Sequence, residues 1–302
     1  TDIYNVIHSE FVPLFNPFQS YFDHLPSWDG VSDPIGDLAD TVHVKSDQAE
    51  FRDYFRKWFV GILPALLDDT VVNHEILVLI GEQGLYKTTW FNFLLPPELR
   101  CYFYTKTNSD RLNKDDLFSL TEFALICFEE LDGMRPAELN QLKAMVTMPY
   151  VNERAAYGRN KERHPHIASF CGTGNNVQFL TDPTGNRRWL PFEVSQIRDP
   201  HLHAIPYELV YSQAYALWKS GFCHWFSQEE IRKLNMHNSR FEVPNLEEDL
   251  IRTHFRKPFE GEAGIFVTAA DILEQISSCL RYPLSPNKIG RIMAGLEFES
   301  IR

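Results

Sequence analysis

Glu75-Ile76-Leu77-Val78-Leu79-Ile80-Gly81-Glu82-Gln83-Gly84-Leu85-Tyr86-Lys87-Thr88-Thr89 is a short apolar run that stops at a glycine-containing loop and passes into a Lys-Thr-Thr segment. The run reads as a buried strand, and Lys87–Leu95 reads as a helix ended by Pro96-Pro97. Strand, glycine loop and helix in that order are the context a P-loop demands. Backbone N–H groups at the helix N-terminus face an anion there, and the helix dipole adds partial positive charge. The candidate nucleotide-binding residues are Gly81, Glu82, Gln83, Gly84, Leu85, Tyr86, Lys87, Thr88 and Thr89. Lys87 would reach the β- and γ-phosphates of ATP, and the Thr88 hydroxyl would hold Mg2+. Tyr86 stands where the motif has glycine, so its side chain has to point away from the phosphates and its backbone takes a less comfortable conformation. The competing reading is an ordinary strand–helix turn with an incidental Lys-Thr.

Outward from this loop, three more apolar runs read as strands: Phe123–Phe128, His166–Gly172 and Arg188–Val194. Strands alternating with helices predict an α/β fold with a parallel sheet and its chemistry at the strand C-termini. Phe123–Phe128 runs into Glu129-Glu130-Leu131-Asp132. A Mg-ATP site needs one carboxylate near the metal and another to orient and deprotonate the attacking water. Glu129 is the candidate for the metal side and Glu130 for the water, with Asp132 as a supporting or alternative ligand. A solvated acidic turn is the bland alternative.

Thr173-Gly174-Asn175 ends the next run, and the Asn175 amide can touch the γ-phosphate or position the water. Gly185-Asn186-Arg187-Arg188-Trp189 offers two guanidinium groups just before a strand. Arg187 or Arg188 aimed at a neighbouring subunit's γ-phosphate would stabilise transition-state charge in trans, and spacing does not choose between them. Between Asn152 and His164, Arg154, Arg159, Lys161 and Arg163 surround Tyr157. That pattern suits a loop or hairpin with phosphate-contacting cations and an aromatic on which a base stacks, although Glu153 and Glu162 dilute the charge.

The flanks divide the chain. Residues 1–50 mix aromatics with turn signals and read as a helical lead-in; 51–225 form the core, opening with a helix on Phe51, Phe55, Trp58, Phe59 and Ile62. Residues 204–219 read as a further helix. Residues 226–302 read as a lid helix and linker, then a small unit in which Thr268 and Ser285-Pro286 open two helices. Two such helices resemble a helix-turn-helix, or a winged helix whose wing is cut off after Arg302.

The chain has 302 residues, 44% of them apolar and 14% aromatic, which supports a sizeable core and excludes wholesale disorder. Its net charge of −12 argues against a generally basic nucleic-acid coat, but 29 Lys and Arg leave room for a local basic patch. Five scattered Cys without CxxC spacing argue against zinc fingers and disulfide frameworks, and with the lack of any signal or membrane-spanning run they predict a cytoplasmic protein without a membrane partner. The chain opens without Met, as a fragment of a longer protein would.

GEQGLYKTTWF, FEELD, VNERAAYGRNKERHPHIASFCGTGN and DPTGNRRWLPFEV, taken in order with the earlier PSWDG at Pro26–Gly30, resemble the virulence-associated protein E family. Those proteins are P-loop ATPases similar to superfamily 3 helicases, often found beside primase modules in phages, plasmids and genomic islands. The resemblance implies an AAA+-type core with Lys87 and Thr88 in Walker A, Glu129 and Glu130 in Walker B, Asn175 as sensor 1 and Arg187 or Arg188 as arginine finger. It also implies ATP and Mg2+ as ligands, a homo-oligomeric ring, DNA as partner and an adjacent primase. The main expectation is a DNA-dependent, helicase-like ATPase of a mobile element. One rival is a nucleotide-gated DNA-recognition module with weak or no hydrolysis, which Tyr86 and the acidic charge favour. A second is a P-loop phosphotransferase acting on a small molecule.

Overall fold

The computed structural model describes residues 15–107, 114–153, 162–181, 186–244, 246–259, 261–277 and 285–296, together with Ile3 and Phe298. The chain divides into two units, Thr1–Glu242 and Val243–Arg302. The first begins with α1 (Pro17–Asp23), α2 (Pro34–Ala39), β1 (Val42–Val44) and the long α3 (Gln48–Leu67). Then follow β2 (Ile76–Ile80), α4 (Lys87–Leu94), β3 (Phe103–Lys106), α5 (Lys114–Glu122), β4 (Leu125–Phe128), α6 (Pro136–Val146) and the hairpin β5 (Tyr150–Glu153) and β6 (Glu162–Pro165). It closes with β7 (Ser169–Gly174), β8 (Trp189–Ile197), α7 (Tyr207–Lys219) and α8 (Gln228–Asn238).

The main sheet has the order β1-β8-β2-β7-β4-β3. Its strands run parallel except β1, which pairs antiparallel with β8. The fold is thus α/β with a mixed, mostly parallel sheet. Side-chain alternation along β2 assigns its two faces: Leu77 and Leu79 join a core with Phe55, Trp58 and Phe59 of α3. Ile76, Val78 and Ile80 join another with Leu139, Leu142 and Val146 of α6. Burial on both faces explains why β2 reads as a continuous apolar run. The helix on Phe51–Ile62 forms as its spacing predicts, with the Asp47 carboxylate capping it by accepting the Ala49 N–H at 2.8 Å.

β1 and β3 carry no strand signal in the sequence. Both are edge strands of three or four residues without an apolar run. The lid helix expected after residue 226 forms as α8, but it belongs to the first unit, where it buries Leu234, His237 and Asn238. His237 fastens that helix. Its Nε2 faces the Pro191 carbonyl at 2.7 Å and its Nδ1 faces the Glu50 carboxylate at 2.8 Å. The hydrogen bond from His237 holds the Glu50 carboxyl below its ordinary range against the opposing effect of burial. A depressed carboxyl stabilises the fold above the unfolded-state pKa and loses that contribution as pH falls through the lower folded value. Glu50→Gln is expected to cost about 1.5–3 kcal/mol at neutral pH and to flatten the acid limb of stability, as read by urea titration between about pH 3 and 7.

The second unit contains α9 (Leu246–His254), α10 (Ala269–Ser277) and α11 (Pro286–Gly295) around Ile251, Ile272, Ile276 and Ile289. Thr268 and Asp271 cap α10 reciprocally, and the Ser285 hydroxyl accepts the Lys288 N–H at 3.3 Å at the start of α11. Among the described residues no helix is long and apolar enough to cross a membrane.

Candidate functional site

The loop after β2 leaves the sheet where the chain crosses from one side of β2 to the other: β7 and β8 flank that strand. Such crossover points open a crevice at the carboxyl ends of the strands. Gly81 N–H donates to Gly174 of β7 at 3.1 Å, and a Cβ on Gly81 would stand 2.9 Å from the Val194 carbonyl oxygen. Gly84 adopts φ +86°. Tyr86 adopts φ +59°, a left-handed conformation that glycine tolerates and tyrosine resists. Its ring turns outward and is 41% exposed. The Tyr86 carbonyl accepts the Trp90 N–H at 2.7 Å, opening α4. Trp90 is buried and its indole N–H donates to the Thr41 hydroxyl at 2.8 Å, which anchors the helix.

Lys87 is buried, and its ammonium donates to the carbonyls of Gly81 at 2.6 Å and Glu82 at 2.8 Å and to Asn175 Oδ1 at 3.4 Å. Burial lowers its pKa, and the Asp132 charge opposes that effect. The Thr88 hydroxyl donates to Glu129 Oε1 at 2.8 Å. Glu129 follows β4, and its N–H donates to the carbonyl of Lys106, whose ammonium forms a buried ion pair with Asp116. Glu130 adopts φ +54°. Among the described residues, Tyr86 and Glu130 are the non-glycine positions with left-handed backbone. Such positions store on the order of 1–3 kcal/mol and gather at functional sites.

These segments meet in one cleft of ≈ 440 Å³. Residues 83–89 form one wall, Glu129 and Glu130 another, and Thr173–Asn175 the floor between them. That floor exists because β7 lies between β2 and β4. Thr173, to which the sequence assigns no role, lines the cleft as the next-to-last residue of a buried strand. Gly81 and Glu82 lie behind the cleft, where their carbonyls hold Lys87. Asp132 stands beside it and accepts N–H groups from Asn175 and Asn176.

The structure does not bring Arg187 and Arg188 to this cleft. They precede β8, whose first residue Trp189 pairs with Ile76 at the opposite end of β2. Arg187 is exposed; Arg188 is half-buried, its Nε without a hydrogen-bond partner. Buried Asn238 donates to the carbonyls of Asn186 and Trp189, at 2.8 and 3.0 Å, and so pins the turn that carries both arginines. Of the basic stretch, Arg163 lies on β6 with its guanidinium 3.9 Å from the Tyr150 ring centroid. Arg154, Tyr157, Arg159 and Lys161 lie outside the described residues.

A mostly parallel α/β fold, with a glycine loop and a pair of acids facing each other at its carboxyl edge, defines the class of this molecule. The model of the virulence-associated protein E-like domain matches residues 23–243, and the chain belongs to that family. No curated protein matches the chain. Among solved structures, it is similar to the apo structure of the NrS-1 C-terminal region (305–718), with a TM-score of 0.49 and 12% identity over 77% of this chain and 56% of that one. It is also similar to the A form apo structure of the same region, with a TM-score of 0.48 and 13% identity over 76% and 56%. The chain therefore spans little more than half the length of those structures.

Proposed function

We propose that this chain is an ATP-hydrolysing P-loop motor of AAA+ type, helicase-like, acting on DNA in the replication of a phage, plasmid or other mobile element. The observation that carries the proposal is the meeting of Lys87, Thr88, Glu129, Glu130 and Asn175 in one cleft. Membership of the virulence-associated protein E-like family supports the same reading.

In this reading, a triphosphate draws the Lys87 ammonium from the Gly81 and Glu82 carbonyls onto its β- and γ-oxygens. The N–H groups of the first turn of α4 receive the remaining phosphate charge. Thr88 and Glu129 offer the hydroxyl and carboxylate oxygens that suit Mg2+. Mg2+ bound by a few protein oxygens completes its shell with phosphate and water. When bound, Mg2+ neutralises charge developing on the phosphates. Glu130 takes the proton of the attacking water as the water oxygen bonds to the γ-phosphorus and the bond to the bridging oxygen breaks. Asn175 orients that water. Arg187 or Arg188 completes the site of a neighbouring copy in a ring. The β5–β6 hairpin, with Arg163 stacked on Tyr150, is the DNA-contacting element.

The strained Tyr86 favours a second reading, a nucleotide-gated DNA-binding module with little hydrolysis. ATP turnover measured over a range of protein concentrations, with and without single-stranded DNA, separates the two. The motor reading expects turnover to rise with concentration and with DNA and to vanish in Lys87→Ala. Turnover equal in wild type and Lys87→Ala would overturn it.

A further inference from the structure

We propose that Asp132 is a positioning residue: it fixes Asn175 against Lys87 and opposite Glu130, and does not ligate the metal. This inference rests on the ATPase reading of the cleft. Asp132 does not line the cleft. Its Oδ1 accepts the Asn175 N–H at 3.1 Å, and its Oδ2 accepts the Asn176 N–H at 3.1 Å and the Asn176 side-chain amide at 2.7 Å. Hydrogen bonds to an ionised carboxylate are stronger than neutral ones. With both oxygens so engaged outside the cleft, the metal side of the site falls to Thr88 and Glu129, which line the cleft and are hydrogen-bonded to each other.

The neighbourhood is shaped for this contact. Glu130 opens a tight 3-10 turn over Leu131–Gly133 that lies against the end of β7. Gly172 and Gly174 stand two residues apart, on one face of that strand. A Cβ on Gly172 would come within 2.2 Å of Leu131 Cδ1, and one on Gly174 within 3.1 Å of Asp132 Oδ1. The two side chains of the acidic turn thus occupy the space the two glycines leave. Asp132 thereby grips the backbone of Asn175, whose side chain reaches Lys87 at 3.4 Å. The acidic turn and the polar floor of the cleft are thus tied together by hydrogen bonds.

The test uses the full chain with Asp132→Asn, Asp132→Ala and, approaching the same contact from the other side, Gly174→Ala. Without nucleotide, amide exchange of Asn175 and Asn176 is expected to speed up by about tenfold or more in both Asp132 variants. With Mn2+ and ADP as probe, read by electron paramagnetic resonance, Asp132→Asn is expected to keep metal affinity within about twofold, whereas loss of a ligand costs tenfold or more. Turnover is expected to show kcat lower by about 10–100-fold at unchanged KM in Asp132→Asn and Gly174→Ala. A tenfold loss of Mn2+ affinity, unchanged kcat, or unchanged amide exchange in Asp132→Ala each overturns the proposal. If the wild type neither binds nor turns over ATP, the ATPase reading falls, and the exchange experiment alone decides whether Asp132 holds the Asn175 loop.

Discussion

Glu130→Gln is expected to lower ATP turnover by about 10²–10⁴-fold while leaving Mg-ATP binding intact. The substitution changes one oxygen to an amide nitrogen and preserves the volume, so the left-handed backbone at φ +54° faces no new side-chain constraint. What is lost is the carboxylate that receives the water's proton. Glu129 is already engaged, since it accepts the Thr88 hydroxyl at 2.8 Å. Steady-state turnover paired with binding of a fluorescent ATP analogue checks the outcome. Full turnover in Glu130→Gln would remove it from the role of base.

Arg187→Ala or Arg188→Ala is expected to lower turnover by about 10³-fold, again with ATP binding retained. Within one chain neither arginine can serve the cleft: β2 and β8 run side by side, with Ile76 beside Trp189 and Ile80 beside Glu193. The arginines precede that span and the phosphate loop follows it, so about 16 Å of strand lies between them. The expected signature is complementation. Mixing an inactive arginine variant with inactive Glu130→Gln pairs an intact acid from one copy with an intact guanidinium from the other, and turnover returns. Two dead variants that stay dead when mixed would sink the trans arrangement. Activity retained in an enforced monomer would point instead to a phosphotransferase.

The sequence makes the centre of this molecule legible and leaves its margins obscure, for physical reasons. Residues 75–89 carry their structure openly, because burial on both faces demands a continuous apolar run and the loop demands glycine. Even the strain at Tyr86 follows from the missing glycine before Lys87. β1 and β3 are hidden because short edge strands have little apolar pattern. The docking of α8 onto the first unit is hidden because, of the three residues that the helix buries, two are polar. The position of Asp132 depends on an absence, the two missing side chains at Gly172 and Gly174, and nothing in the Glu129–Asp132 stretch announces it. The arginine pair is visible as a turn before a strand, but its distance from the loop is a matter of sheet order.

The enclosure of Trp90 has an optical consequence. Its indole is sealed among aromatic rings and tied to Thr41, three residues along the helix from Lys87. Anything that displaces the start of α4 therefore alters the polarity around a fluorophore that water does not otherwise reach, so the protein carries an intrinsic, label-free reporter one helical turn from the loop that would hold phosphate.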